Sequence, residues 1–139
     1  MSGRTRFDAL KDGSMSIPVN DHLGFRIEDG TTDEVRFSWA VPKEFCNSAG
    51  ALQGGMLAAF ADAVLGGAAA LHLDPETYPA LAEMKISIFH PVPAGTDLTG
   101  IGRILKAGRR VLFVEAEIFD SDRRLVAKAS GTEIPLPMP

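Results

Sequence analysis

The chain is 139 residues long, with 45% hydrophobic and 23% charged residues and a formal net charge of −4. This length and composition are typical of one packed globular domain, predicted over residues 1–139, and exclude disordered or fibrous architectures. The basic residues are scattered, so the positively charged surface of a nucleic-acid-binding protein is missing and no nucleic acid partner is expected.

Cysteine and histidine are scarce in this sequence. Cys46 is the single cysteine and has no partner for an internal disulfide, and residues 1–20 do not resemble a secretory signal. We therefore expect a cytoplasmic protein. The three histidines show no two-His ligand spacing and no Cys/His cluster, which predicts that there is no metal site.

The first part of the chain carries one clear β-hairpin pattern. Residues 1–21 mix charges with glycine and proline, and we interpret them as an N-terminal extension without chemistry, with at most a short helical turn around Arg4–Leu10. Leu23–Glu28 and Glu34–Val41 are predicted strands separated by the turn Asp29–Thr32, because apolar and polar residues alternate along the second of them.

An unusually apolar segment follows a loop that starts at Pro42. We predict a helix over about Gly54–Leu73, ended by an Asp-Pro pair. The segment is long enough to span a bilayer, but it contains Gln53 and Asp62 and lacks flanking Lys/Arg clusters. It is therefore interpreted as a buried helix of a soluble core, and no membrane partner is expected.

The second half of the chain is a series of strands with period-two alternation. This pattern is typical of an antiparallel sheet with one buried face, and two strand glycines, Gly100 and Gly102, favour a bend or a close approach to the helix. One long helix against such a sheet predicts an α+β fold, with a second subunit covering the rest of the helix. The predicted strands are Leu81–His90, Asp97–Lys106, Arg110–Phe119 and Leu125–Ile134.

Asp62 is the most informative single residue, because an ionisable group in the middle of an apolar helix must overcome a desolvation penalty. A carboxylate of this kind serves either catalysis or a purely structural hydrogen bond. The polar loop from Asn47 to Gly55 leads into the helix N-terminus, where free N–H groups favour a developing negative charge. A Gly54–Gly55 pair taken by itself more often just permits a tight turn.

The segment from Asn47 to Gly67, together with Glu83–Ile86 and Pro91–Thr96, resembles the hotdog-fold acyl-CoA thioesterases of the phenylacetate-pathway type. These enzymes belong to the 4-hydroxybenzoyl-CoA thioesterase-like superfamily. In that family a loop Asn lies six residues before a His-Gly-Gly, and a helix Asp or Glu lies nine residues after the His. The residues that fall in register with this pattern are Asn47, Gly54, Gly55 and Asp62. The resemblance implies the hotdog fold, a curved antiparallel sheet wrapped around one central helix.

The resemblance also implies roles for individual residues. Asp62 becomes the general base or nucleophile, the Gly54 N–H an oxyanion donor beside Gly55 in the substrate site, and Asn47 a group that orients water or substrate. Gln53 occupies the family's His position, so only a polarising or positioning role is expected there. Leu81 lies near a position where some relatives carry Ser or Thr.

A basic turn is the candidate site for the nucleotide of CoA. In related enzymes the matching turn contacts that nucleotide, and lysine and arginine suit phosphate. The solvated hairpin tip remains an equal alternative, and for His90, which stands where relatives often have Arg, a purely structural role is more usual. The residues of the turn are Lys106, Gly108, Arg109 and Arg110.

The sequence therefore predicts hydrolysis of an acyl-CoA thioester, with no dissociable cofactor and with CoA only as part of the substrate. We expect a homo-oligomer, either a homodimer or a homotetramer built as a dimer of dimers, whose sites are shared between chains. The alternatives are a non-catalytic acyl-CoA binding or sensing module and, with less support, a hotdog hydratase or dehydratase. Gly66–Gly67 either admits a close neighbour or leaves room for an acyl chain beside Asp62.

Overall fold

One long helix packs against a curved six-stranded sheet in the computed structural model, which describes residues 3–139, with side chains from residue 6 onward. All neighbouring strands are antiparallel, in the order β1-β2-β4-β5-β6-β3, so β1 and β3 form the two edges. This arrangement confirms the predicted α+β hotdog fold. The elements are α1 (Gly3–Asp12), α2 (Pro18–Leu23), β1 (Arg26–Gly30), β2 (Glu34–Ala40), a 3-10 turn (Lys43–Phe45), α3 (Gly54–His72), β3 (Thr77–Ile88), β4 (Asp97–Ala107), β5 (Leu112–Phe119) and β6 (Leu125–Pro137).

The long helix α3 buries one face in the sheet and leaves the other face lined by small residues. Two glycines of β4 allow a very close approach: a Cβ on Gly100 would lie 2.6 Å from Val64 Cγ2, and one on Gly102 would lie 2.7 Å from the Val64 carbonyl oxygen. The prediction that these glycines serve close contact with the helix is thus confirmed. The buried residues of α3 are Leu57, Phe60, Ala61, Val64, Leu65, Ala68, Ala69 and Leu71.

Among the described residues, α3 is the helix whose length and composition would allow it to cross a membrane. In the fold it packs against β2, β3, β4, β5 and β6. Its apolar character is explained by this packing, because a helix held against a sheet in a protein core has the same composition as a membrane helix.

The N-terminal residues are more structured than the sequence predicted. The expected short turn around Arg4–Leu10 is the ten-residue helix α1, and a second helix, α2, begins with a proline in its first turn and ends at Gly24, whose φ is +87°. The first strand therefore starts at Arg26, and the prediction of Leu23 was wrong because α2 occupies that stretch.

Long-range contacts hold α1 in place. The buried Arg6 donates hydrogen bonds to the backbone carbonyls of Ala70 (2.7 Å), Asp74 (2.8 Å) and Thr77 (3.1 Å), at the C-terminal end of α3. Phe7 is also buried, although its neighbours in sequence are polar. Since these partners lie more than 60 residues away, local pattern does not reveal them. At the same end of the fold, β3 is longer than predicted, because it starts at Thr77 rather than at Leu81.

Candidate active site

Backbone hydrogen bonds to two neighbouring loops fix the residues just before the N-terminus of α3. Leu52 donates its N–H to the Val92 carbonyl (2.7 Å), and Gln53 donates its N–H to the Phe45 carbonyl (2.9 Å). Gln53 occupies the N-cap position but makes no side-chain cap hydrogen bond, and its side chain is exposed. The first N–H groups of the helix, on Gly54 and Gly55, are therefore available at the positive end of the helix dipole.

Asn47 shapes the loop that precedes this helix. Its Oδ1 accepts hydrogen bonds from the N–H groups of Ala49 (2.9 Å) and Ala51 (3.2 Å), and its own N–H donates to the Ala51 carbonyl (2.8 Å). The carboxamide oxygen is thus engaged inside the loop, which leaves the side-chain NH₂ as the group of Asn47 that can face a ligand. Asn47 is exposed, and Gly50 with φ +78° completes the turn.

Asp62 lies two turns further along the same helix, on the face that the sheet does not cover. Asp62 is exposed, but the residues around it partly desolvate its carboxylate and raise its pKa. Asp62 also lines a cavity of about 580 Å³ together with small residues of α3, including Ala59, Ala63 and Gly66. The carboxylate therefore faces an apolar space large enough for a small ligand.

Glu133 is a second carboxyl group near Asp62, and sequence reasoning missed it. It lies on β6, is 1% exposed, and its Oε1 is the one buried side-chain polar atom among the described residues without a hydrogen-bond partner. Burial raises the pKa of Glu133 to about 7, and the charge of Asp62 adds to the effect. A signal was available: period-two alternation from Ala127 through Ala129 and Gly131 places Glu133 on the inward face of its strand.

Within one chain the candidate residues form separate groups rather than a single site. Gly54 and Asp62 lie on one helix eight residues apart, which separates them by about 12 Å along the axis. Asn47 and Gln53 lie at the same end as Gly54. His90 lies close to that end, since it follows β3 and lies two residues before Val92, the hydrogen-bond partner of Leu52.

The basic turn forms a third group. It connects β4 to β5, is exposed, and is closed by a hydrogen bond from the Gly108 N–H to the Val111 carbonyl (2.8 Å). The ion pairs seen among the described residues involve Arg103, Arg124 and Lys128, and none neutralises the turn. Its side chains border a surface hollow of about 590 Å³, lined by Lys106, Gly108, Arg109, Arg110, Val111 and Phe113. Across residues 3–139 there is no cluster of three potential metal ligands among His, Cys, Asp and Glu.

A curved antiparallel sheet around one long helix defines a protein of the hotdog fold class. A model of the thioesterase superfamily matches residues 49–127. The chain belongs to this superfamily, and it shares the hotdog fold of thioesterases related to phenylacetic acid degradation.

Named relatives point the same way. The chain is 36% identical over 90 residues to a provisionally named esterase of Saccharolobus solfataricus, a match that covers 65% of this chain and 63% of that protein. It is 30% identical over 117 residues to a provisionally named esterase of Pseudomonas aeruginosa, covering 84% of this chain and 87% of the relative. These matches support thioester hydrolysis as the class of reaction.

Solved structures agree with the fold. A provisionally assigned thioesterase from Ralstonia eutropha, described as a phenylacetic acid degradation-related protein, superposes with a TM-score of 0.85 at 28% identity, covering 92% of this chain and 98% of its own. A Streptococcus mutans protein solved with bound acetyl-CoA has the same fold, with a TM-score of 0.76 at 19% identity over 81% of this chain and 89% of its own.

Proposed function

We propose that the protein hydrolyses acyl-CoA thioesters and that Asp62 is the residue that activates water or attacks the carbonyl carbon. The observation that carries this proposal is the position of Asp62: a carboxylate on the uncovered face of α3 that borders an apolar cavity. In the general-base form, Asp62 accepts a proton from water while the oxygen bonds to the thioester carbon. The C–S bond then breaks, and the thiolate of CoA leaves and takes up a proton.

The open N-terminus of α3 supplies the complementary charge. The N–H of Gly54 points from the positive end of the helix and would stabilise the oxyanion that forms on the thioester oxygen. Gln53 has an exposed amide that is free of any capping bond, so it can position the carbonyl. The free NH₂ of Asn47 would orient water or substrate.

The proposed site needs two chains. One thioester carbonyl cannot contact both Gly54 and Asp62 across about 12 Å of one helix. A two-fold pairing with antiparallel α3 helices would bring Gly54 of one chain toward Asp62 of the other. The twelve-residue edge strand β3 supports self-association, because it carries exposed apolar side chains such as Tyr78, Leu81 and Ile88 and a long open edge is normally covered. The predicted homodimer, or tetramer of two dimers, is part of this proposal.

The basic β4–β5 turn is the proposed site for the CoA phosphates. Lys106, Arg109 and Arg110 are exposed, form no ion pair with an acidic residue in the described part of the chain, and border a hollow, which suits an anionic group. His90 near the helix start is the proposed additional phosphate contact. The bound acetyl-CoA of the S. mutans protein supports CoA thioesters as the ligand class.

The rival function is an acyl-CoA binding or sensing module without turnover, and Gln53 is the feature that favours it. A residue that does not titrate near neutral pH cannot donate or accept the proton of the reaction. The same substitution argues against the hydratase or dehydratase alternative, which relies on a His beside the acid. The proposed hydrolysis uses water and the chain's own groups, and it therefore predicts that no dissociable cofactor is needed. The cytoplasmic location is a separate prediction.

The test is thiol release from a panel of short, long and aryl acyl-CoAs. Wild-type protein should turn over at least one of them, and Asp62→Asn should keep the fold by circular dichroism but lose about a hundredfold or more in kcat. Tight binding without turnover by the wild type would establish the sensing module instead. Near wild-type turnover by folded Asp62→Asn would overturn the role of Asp62.

A further inference from the structure

The N-terminal segment, which consists of α1, α2 and the loop between them, forms one wall of the cavity beside Asp62. Leu10, Met15 and Ile17 from this segment line it opposite the small-residue face of α3. Its remaining lining is mostly aromatic or aliphatic and comes from β1, β2 and the start of β3. Apart from Asp62 the lining offers few polar groups, so the space suits an apolar ligand group.

Two adjacent glycines of α3 serve different purposes in this region. A Cβ on Gly67 would lie 2.5 Å from Phe37 Cε2, so Gly67 is required for helix–sheet packing. A Cβ on Gly66 would meet no atom within 4 Å, and Gly66 lines the cavity. Glycine in the middle of a helix is unfavourable by up to about 1 kcal/mol relative to alanine. Packing within the chain therefore explains Gly67, whereas Gly66 borders space that no other described residue of the same chain fills.

Among the described residues of the lining, Arg6 is the basic one, and its guanidinium is engaged in holding the fold together. Arg6 lines the cavity, but its guanidinium donates to the carbonyls of Ala70, Asp74 and Thr77. Three of its five N–H donors hold α1 to the end of α3, and the side chain is buried, so Arg6 acts mainly as a structural link between these elements. The residues that line this end of the cavity around Arg6 are mostly apolar, and they favour a ligand that ends in a methyl or an unsubstituted ring; they include Leu10, Leu71 and Pro75.

We infer that this cavity binds the acyl group of the substrate and that it selects long, unsubstituted apolar acyl chains. The inference rests on the proposed function, because it places the reacting carbonyl at Asp62. The α3 lining from Asp62 to Ala70 spans about 12 Å. An extended chain advances 3.8 Å per three bonds, so this length holds roughly nine or ten bonds. The decanoyl group matches the length of the cavity.

The experiment measures kcat/KM for acetyl-CoA, decanoyl-CoA and the ω-carboxylated acyl-CoA of the same length. Wild-type protein should prefer decanoyl-CoA to both others. Gly66→Leu should lower kcat/KM for decanoyl-CoA by at least about tenfold more than it lowers kcat/KM for acetyl-CoA, because the added side chain occupies the part of the cavity that only the longer chain reaches. Met15→Trp narrows the cavity from the N-terminal wall and should act in the same direction.

Binding provides a second measurement that does not need turnover. In the Asp62→Asn background, calorimetry should show decanoyl-CoA binding more tightly than CoA, and Gly66→Leu should remove the difference. Gly66→Ala is the folding control and should melt no lower than the wild type, since alanine is the better helix former. Acyl-CoA turnover with a chain-length profile that neither cavity variant changes would overturn the acyl site alone, whereas no turnover of any acyl-CoA would overturn the proposed hydrolysis.

Discussion

Replacing Glu133 by glutamine should change how the stability of the protein depends on pH. Glu133 is buried on β6 beside Asp62, with one carboxylate oxygen lacking a hydrogen-bond partner within the described part of the chain. Burial, reinforced by the charge of Asp62, raises its pKa from the ordinary 4.5 to about 7. Between these two values the folded protein holds a proton on Glu133 that the unfolded chain releases.

The sign and size follow from proton linkage. The protonated Glu133 contributes its full stability below about pH 4.5, and the contribution is lost progressively as pH rises from 4.5 through 7, because over this range the unfolded chain releases a proton that the folded state keeps on the buried carboxyl. A difference of about 2.5 pH units corresponds to roughly 3 kcal/mol in the free energy of unfolding. Glutamine does not titrate, so Glu133→Gln should lack this decline.

The assay is urea unfolding of wild type and Glu133→Gln at a fixed protein concentration between pH 4.5 and pH 8, since association also affects stability. The quantity of interest is the difference between the two pH curves, because the buried amide carries its own constant desolvation penalty. Glu133→Leu, which also cannot titrate, should lose the same decline. Parallel curves for the wild type and both variants would refute the assignment of a raised pKa to Glu133.

Three further predictions follow from the same structure. Replacing the three basic side chains of the β4–β5 turn with alanine should raise KM for an acyl-CoA far more than for an acyl-pantetheine, which lacks the nucleotide phosphates that the turn would contact. Equal effects on both substrates in steady-state kinetics would mean that the turn is a solvated tip. Gly54→Pro and Asp62→Asn should each be nearly inactive, yet co-refolding the two variants should restore roughly a quarter of wild-type activity, because about half of the dimers are mixed and each mixed dimer has one intact site of two. No recovery of activity in mixed dimers that mass spectrometry verifies would exclude the shared site. Gly67→Ala should lower the melting temperature, because the added Cβ would lie 2.5 Å from Phe37 Cε2. The overpacking should cost roughly 1–3 kcal/mol in the free energy of unfolding, which exceeds the gain in helix propensity. A melting temperature at or above that of the wild type would contradict this.

The sequence by itself determined the secondary structure of the central elements and the residues of the proposed reaction. The helix from Gly54 was predictable because its apolar run is too long for a strand, and the later strands because alternation with period two reports one buried face. Asp62 stood out as the only charge in that run, and its spacing to Asn47 carried the family resemblance.

The tertiary structure decided what depends on contacts between distant parts of the chain. Helix α1 is fixed by Arg6, whose partners lie more than 60 residues away, so a polar N-terminal stretch becomes one wall of a cavity. Gly66 and Gly67 are adjacent residues of the same type, so the sequence does not distinguish them. The position of Phe37 in the fold shows that Gly67 serves packing, whereas Gly66 borders open space. The inward orientation of Glu133 follows from alternation, but its pKa is raised because the fold buries the carboxyl group, and the charge of Asp62 adds to the effect.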